Sequence, residues 1–305
     1  MDVSDTRSLT GGARIVPVLL LVACASRLPA IVLDLTGVPR PTWLSALQVA
    51  ALLVFCAASV PWKRLAPMRP LAVTLAVILL LQEGGRTLSS QPFWRRLYNL
   101  DTLTGSLESG ITLKALSAAL MAGLLLLLLR SPTAAYLVPG NLSAKARRIA
   151  WLGIEEQRIS WGKLSVISGV LISLGTILLT VITVTGFRLP SGWQRFAGMV
   201  PLLLLLAAVN SISEGVLYRN GVLGPLQGIL SDRWRVIAAA MLFGLAHFEG
   251  APGGPIGVMM SGLLGWYMNR SMLETKGFAA AWIIHFMQDF VIFGSLFLLN
   301  GQLAG

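Results

Sequence analysis

Residues 196–217, FAGMVPLLLLLAAVNSISEGVL, form a mostly apolar run that holds one ionisable side chain, that of Glu214. About twenty mostly apolar residues are enough for an α-helix to cross the hydrocarbon core of a bilayer. The run therefore predicts a membrane-spanning helix with a carboxyl group inside it. An ionisable group within a span is costly, so Glu214 is a candidate functional residue.

The composition of the whole chain agrees with this interpretation. Apolar residues occupy 55% of the 305 positions and charged residues 12%, and the mean hydropathy is +0.75. Soluble domains usually carry about 25% charged residues. We therefore expect an integral membrane protein rather than a soluble one.

Further apolar runs predict the fold class, which is an all-α, polytopic transmembrane helix bundle. Three of the predicted spans are short, so we expect eight or nine spans in total. An amphipathic stretch, 218–230, follows the sixth span and would extend it as one long or broken helix. The nine predicted spans are 15–33, 43–61, 66–83, 110–129, 164–186, 196–217, 236–249, 255–269 and 278–299.

The net charge of +11 is distributed over short loops. With the N-terminus inside, sixteen of the 24 Lys and Arg residues fall on the inner side and six on the outer side. This bias predicts a cytoplasmic N-terminus, and we expect a prokaryotic plasma membrane. The basic segment 145–148 lacks a nucleic-acid-binding motif. We therefore expect no nucleic acid as a partner, and the lipid bilayer as the counter-charge.

Two longer segments interrupt the predicted spans. Residues 84–109 are expected to be a loop at the membrane surface, and residues 130–163 a basic cytoplasmic linker. The linker suggests two domains. Residues 1–190 would hold the N-terminal transmembrane spans and the linker, and residues 191–305 a second transmembrane core.

Ionisable residues cluster in the last third of the chain, and they include its only two histidines: Glu214, Arg219, His247, His285 and Asp289. Glu214 and His247 flank the polar turn at 231–233 at similar distances, so antiparallel helices would bring them to a similar depth. His285 and Asp289 are four residues apart and share a helix face. We expect Glu214, His247, His285 and Asp289 to converge in one polar pocket. The alternative is a polar network that only fixes helix packing, with Arg219 paired to Glu214 or Asp289.

Three short motifs within these spans resemble those of the CAAX-protease and bacteriocin-processing family of intramembrane proteases, which is related to the Ras-converting prenyl-protein endopeptidases. The family's Glu-Glu-x-x-x-Arg is similar to Glu214–Arg219, its Phe-x-x-x-His to Phe243–His247, and its His-x-x-x-Asn/Asp to His285–Asp289. One position departs from the family, because Gly215 stands where the second Glu is expected. The resemblance covers about residues 196–299 and leaves the first 190 unexplained.

The resemblance implies an intramembrane endopeptidase whose core lies in residues 191–305. It implies Glu214 as the base on a water that His247 helps to position, with His285 and Asp289 at the developing oxyanion. Arg219 and Phe243 would be supporting residues. The substrate would be a membrane-anchored protein or peptide, cut near its C-terminus or its membrane anchor.

Two questions stay open at the level of sequence. No cofactor is favoured, but zinc or another divalent metal held by Glu214, His247, His285 and Asp289 is compatible with these residue types. The alternative function is a catalytically inactive protein, or a transport or interaction protein, built on the same core. The absence of an inverted repeat argues against a transporter.

Overall fold

The computed structural model describes residues 11–182, 193–250 and 252–303. This part of the chain is mainly helical, and its β-type pairings are two isolated bridges, Lys145 with Ser160 and Ile149 with Ile154. The predicted all-α fold is confirmed. The helices are α1 Ile15–Ala25, α2 Leu28–Leu35, α3 Leu44–Ala58, α4 Arg69–Ser89, α5 Pro92–Leu97, α6 Leu103–Leu129, α7 Trp161–Thr180, α8 Trp193–Glu214, α9 Gly221–Leu223, α10 Asp232–Ala246, α11 Gly254–Thr275 and α12 Ala279–Leu303.

Five helical segments in the described residues are long and apolar enough to cross a membrane: Ala66–Ser89, Leu103–Leu129, Trp161–Thr180, Trp193–Leu223 and Ala279–Leu299. The pair α1 and α2 makes six if it counts as one broken span. Large apolar side chains point outward from these helices, with Leu127 78% and Leu171 63% exposed. Such faces need lipid around them, so the protein is an integral, multi-pass membrane protein.

The predicted count of eight or nine spans is not confirmed. Three predicted spans correspond to α3, α10 and α11. Helices α3 and α10 have 15 residues each, which is about 22 Å at 1.5 Å per residue against a hydrocarbon core of about 30 Å. Helix α11 has 22 residues but is not among the apolar candidates.

The first predicted span, 15–33, is broken rather than continuous. Helices α1 and α2 meet at 64°. Pro29 lies in the first turn of α2, where its missing N–H is tolerated, and Ser26 before it is extended. The backbone N–H of Leu28 is bonded to Ser26 Oγ at 3.1 Å. A proline at a helix start and a serine that caps the next turn explain the bend.

The prediction of a surface loop at 84–109 is wrong, because most of it is helical. Helix α4 continues to Ser89, α5 covers Pro92–Leu97, and α6 begins at Leu103. Two aromatic residues of this stretch, Trp94 and Tyr98, pack onto α6. Trp94 is buried and donates to Ser109 Oγ at 2.7 Å, and Tyr98 donates to Thr112 Oγ1 at 3.0 Å.

The predicted linker at 130–163 is mainly irregular, as expected, but it is packed rather than loose. Asn141 N–H donates to Thr275 O at 2.8 Å, and Phe278 N–H donates to Val138 O at 3.0 Å. Gly140 has a φ of +81° beside these bonds, and a Cβ there would contact Thr275 O at 2.7 Å. The linker therefore docks against the turn that joins α11 to α12.

The described residues fall into two compact units. The first comprises the described residues within Met1–Gly84, Leu120–Leu137 and Val216–Leu273, and the second those within Gly85–Ala119, Val138–Gly215 and Glu274–Gly305. The division into residues 1–190 and 191–305 stays a prediction, and its boundary lies in 183–192, outside the described residues, as do the last positions of the span predicted at 164–186.

Each unit has its own core. In the first, Thr74 Oγ1 donates to Gly221 O at 2.7 Å, and Asn220 Nδ2 donates to Tyr136 O at 3.0 Å. In the second, α12 packs against α7 and α8. The core of the second unit is built from Ile111, Leu203, Leu206, Ala207 and Phe293.

Candidate active site

Glu214 is the last residue of α8, where the helix changes its hydrogen-bonding pattern. Residues Gly215–Asn220 form a π-helical turn before the short helix α9. Such turns are uncommon within helices and occur frequently at functional sites. Glu214 is 6% exposed, so its carboxylate lies in a buried environment.

One oxygen of this carboxylate accepts from two side chains of the second unit. Lys114 Nζ, on α6, donates to Glu214 Oε1 at 2.5 Å. Asn210 Nδ2, one turn earlier on α8, lies 3.3 Å from the same oxygen. A buried carboxylate needs such partners, because removing a charge from water is costly unless it is paired and hydrogen-bonded.

The other oxygen of Glu214 lies beside His285 on α12. Glu214 Oε2 is 3.6 Å from His285 Nε2, and Asp289 Oδ1 is 3.4 Å from the same nitrogen. All three residues are buried. Ionised carboxylate oxygens only accept hydrogen bonds, so the arrangement favours the tautomer of His285 with a hydrogen on Nε2.

Asn210 connects the members of this cluster. Its Nδ2 donates to Asp289 Oδ2 at 2.9 Å, and its Oδ1 accepts from Lys114 Nζ at 2.9 Å. Asn210 is 3% exposed. One amide therefore links α6, α8 and α12, which fixes the rotation of each helix about its own axis.

The second motif lies in the first unit. His247 is the residue that ends α10, and its Nδ1 is 2.7 Å from Phe243 O. Since a carbonyl only accepts, Nδ1 carries the hydrogen, and Nε2 of a neutral His247 is then an acceptor. The His247 ring packs against the Phe243 ring with centroids 4.4 Å apart. The tautomer and orientation of His247 are therefore set by its own helix.

Phe243 also contacts the residue at the end of the first motif. The guanidinium of Arg219 lies 5.1 Å from the centroid of the Phe243 ring, a distance typical of a cation–π contact. Arg219 is 1% exposed and Phe243 is 1% exposed. Phe243 thus holds both Arg219 and His247 within the first unit.

The structure brings the predicted site residues together in two groups. Glu214, His285 and Asp289 form one cluster in the second unit, and Arg219, Phe243 and His247 form another in the first. The convergence of Glu214, His247, His285 and Asp289 in one pocket stays a prediction.

Two members of the Glu214 cluster were missed by the sequence analysis. Asn210 precedes Glu214 by four residues, so the i, i+4 relation that links His285 to Asp289 would also have found it. Lys114 is the one basic residue between Leu103 and Leu129. A cation within an apolar helix is itself a signal of a polar partner.

The site was also tested for its fit to a metal ion. Within the described residues, no group of three or more His, Cys, Asp or Glu side chains is arranged to hold one. Oε1 of Glu214 accepts from the Lys114 ammonium at 2.5 Å. A lysine ammonium in that place would repel a divalent metal, so this cluster does not fit a zinc site.

Comparison with protein families gives one match. Residues 196–291, which are 96 of the 305 residues, match the family model described as "Type II CAAX prenyl endopeptidase Rce1-like". The matched segment contains all three motifs, whereas Lys114 lies outside it. The predicted resemblance to the CAAX-protease family is confirmed for this segment. No curated protein and no solved structure matches the chain.

Proposed function

Starting from the Rce1-like CAAX prenyl endopeptidase match at residues 196–291, we propose that this membrane protein is an intramembrane endopeptidase. It hydrolyses a peptide bond near the C-terminus or the membrane anchor of a membrane-associated protein. The observation that carries the proposal is the buried carboxylate of Glu214 with its Oε2 3.6 Å from Nε2 of His285. A base and a hydrogen-bond donor at this separation can act on the same small molecule, such as a water.

In this mechanism Glu214 Oε2 accepts a proton from the attacking water. The resulting hydroxide adds to the carbonyl carbon of the scissile peptide bond. His285 Nε2–H lies beside the base, so it can donate to the oxyanion that forms. Glu214 then returns the proton to the leaving amine as the C–N bond breaks. Pre-placed donors of this kind contribute about 3 to 4 kcal/mol to transition-state stability in other hydrolases.

Asp289 orients His285 in this proposal by favouring the tautomer with a hydrogen on Nε2, and at 3.4 Å the contact leaves that hydrogen able to turn to the oxyanion. Oδ2 of Asp289 accepts from Asn210, and its Oδ1 lies 3.4 Å from His285 Nε2. Both oxygens are therefore placed as hydrogen-bond acceptors. An ionised carboxylate cannot itself donate to an oxyanion. The orienting role is therefore favoured over direct contact with the oxyanion.

We also propose that His247 takes part in the reaction and that Arg219 and Phe243 support it. This assignment rests on the position of Phe243–His247 in the matched segment, in the order of the family's motifs. The proton on Nδ1 supports it as well, since Nε2 is then an acceptor that can bind a water hydrogen. The catalytic core would occupy residues 191–305.

The proposed topology keeps eight or nine membrane-embedded helices and a cytoplasmic N-terminus, in a prokaryotic plasma membrane. The charge bias supports the orientation. Helices α3, α10 and α11 would be embedded without each crossing the full bilayer.

The proposed function is tested by comparing membranes from cells that express the wild type, Glu214→Ala or His247→Ala. We expect a membrane-anchored peptide to accumulate uncleaved in both variants, as measured by quantitative mass spectrometry of the membrane fraction. Purified wild-type protein should then cleave that peptide. Glu155→Ala is the matched control, because Glu155 is an exposed loop carboxylate paired with Arg158 at 2.7 Å. Identical peptide profiles for the wild type and Glu214→Ala, with both proteins inserted and folded, would contradict the proposal and favour an inactive core.

A further inference from the structure

We propose that Lys114 is a positioning residue for Glu214, supplied by a helix outside the family-matched segment. Its ammonium holds Oε1 of Glu214, and this keeps Oε2 directed at His285. The inference rests on the proposed function of Glu214 as the base. It gives the N-terminal part of the chain a direct task in the reaction.

The two oxygens of the Glu214 carboxylate have different contacts. Oε1 accepts from Lys114 Nζ at 2.5 Å and lies 3.3 Å from Asn210 Nδ2. Oε2 lies 3.6 Å from His285 Nε2. A charge-assisted hydrogen bond is about twice as strong as a neutral one, so it fixes which oxygen faces which side. Without the ammonium, the carboxylate is free to rotate about its last torsion, which is broad for glutamate.

The ammonium is itself held in place by the same cluster. Lys114 Nζ donates to Asn210 Oδ1 at 2.9 Å as well as to Glu214. A lysine has three donors on one nitrogen, so a single ammonium can bridge both side chains. The lysine is therefore directed by α8 and does not depend on substrate for its position.

The burial of the two partners also differs. The side chain of Lys114 is 42% exposed, whereas that of Glu214 is 8% exposed. The buried carboxylate is the partner that needs compensation, and the lysine reaches it from a less buried position. The pair also lies next to His285, because Oε2 of Glu214 is 3.6 Å from its Nε2. The pair is thus placed where it controls the geometry of the base.

The test uses the full-length protein in detergent and a farnesylated CAAX peptide as the probe. Lys114→Met removes the ammonium and keeps a side chain of similar length, whereas Lys114→Arg keeps the positive charge. We expect kcat to fall about 100-fold in Lys114→Met with KM within about threefold, because a misplaced catalytic group costs about that much. Lys114→Arg should recover part of the loss. Lys163→Met, at an exposed lysine on α7, is the control and should leave kcat unchanged.

A second measurement does not depend on activity. Thermal unfolding midpoints of Lys114→Met, Glu214→Gln and the double variant form a cycle that reports the coupling between the two side chains. The double variant should unfold no lower than the less stable single variant. Strictly additive shifts would mean that the contact does not exist, and this would overturn the proposal.

The outcomes separate the inference from the function on which it rests. If Lys114→Met is coupled to Glu214 but turns over the probe at the wild-type rate, the lysine only stabilises the fold and the positioning role is wrong. If Glu214→Gln turns over the probe at the wild-type rate, the proposed function fails, and the positioning role fails with it. Loss of kcat in Lys114→Met together with coupling and partial rescue by arginine supports the proposal.

Discussion

Oε2 of Glu214 lies 3.6 Å from Nε2 of His285. The two residues belong to different helices, and both of their side chains are buried. This separation is longer than a hydrogen bond and shorter than the gap that a bridging water would fill in a straight line. A water can still contact both atoms from one side. The pair therefore provides an acceptor and a donor that converge on a single point in a buried polar cluster.

The donor and acceptor pattern around Asp289 leads to a stability prediction. Asp289 accepts at Oδ2 from Asn210 and lies at Oδ1 beside the hydrogen on His285 Nε2. An amide cannot accept at both positions, so Asp289→Asn places an NH₂ group against one donor. We expect Asp289→Asn to lower the free energy of unfolding by about 1 to 3 kcal/mol.

The reverse exchange provides the control for this prediction. Asn210→Asp in the Asp289→Asn background restores a donor and an acceptor across α8 and α12, with Lys114 still beside the new carboxylate. We expect the double variant to recover at least part of the lost stability, as measured by denaturant unfolding in detergent. A double variant less stable than both single variants would show that the assigned direction of this hydrogen bond is wrong.

The contacts within the Glu214 cluster were predictable to different degrees. His285 and Asp289 meet because they are one helical turn apart, and that relation follows from sequence alone. The approach of Glu214 to His285 is part of the convergence that the spacing of the ionisable residues predicted. Lys114 could not be assigned, since α6 is apolar on nearly every side and its sequence does not indicate which face turns towards α8.

The errors in the predicted fold have the same cause, because the sequence does not show which surfaces pack together. In the sequence, Pro29 alone did not predict the break between α1 and α2, because proline is tolerated within membrane helices when other groups satisfy the backbone. The aromatic residues at 93–98 suggested a membrane surface, but Trp94 is buried and donates a hydrogen bond to Ser109. Amphipathic aromatic side chains fit either environment, and tertiary packing selected between them.

Removal of metal ions should leave the activity unchanged. We expect this because the Lys114 ammonium lies beside the Glu214 carboxylate, where its positive charge opposes the binding of a divalent cation. The measurement is cleavage of the farnesylated CAAX peptide after dialysis against a chelator, with elemental analysis of the purified protein. Loss of cleavage that is reversed by adding back Zn²⁺ would contradict the metal-free mechanism and would require Lys114 to move away from the site.

Phe243 should contribute more to stability than its apolar surface alone. Its ring lies 5.1 Å from the guanidinium of Arg219, which is 1% exposed, and packs on the ring of His247. Desolvated cation–π contacts contribute about 2 kcal/mol. We expect Phe243→Leu to lower the free energy of unfolding by about 2 kcal/mol more than Phe293→Leu, at a buried phenylalanine in the core of the second unit. Equal losses of stability in thermal unfolding would mean that the contact between the Phe243 ring and Arg219 adds nothing to the free energy of unfolding.

The close approach of α10 and α11 should depend on one glycine and not on its neighbour across the interface. A Cβ built on Gly244 would lie 2.7 Å from Val258 O and 3.0 Å from the Cα of Gly262, and both obstacles are backbone atoms. A Cβ built on Gly262 would meet its nearest atoms at 3.9 Å, which is ordinary contact. Gly244→Ala must therefore separate the two helices, at a cost of about 2 kcal/mol. Gly262→Ala should be neutral or stabilising by up to about 1 kcal/mol, because alanine favours the helix. Thermal unfolding of the two variants in detergent checks the prediction. If Gly262→Ala were the more destabilising variant, α10 and α11 would pack in a different register.

Because Gly244 directly follows Phe243 and precedes His247 by three residues, the separation of the helices should also lower the turnover of any substrate that depends on His247. Gly262→Ala should leave this turnover intact.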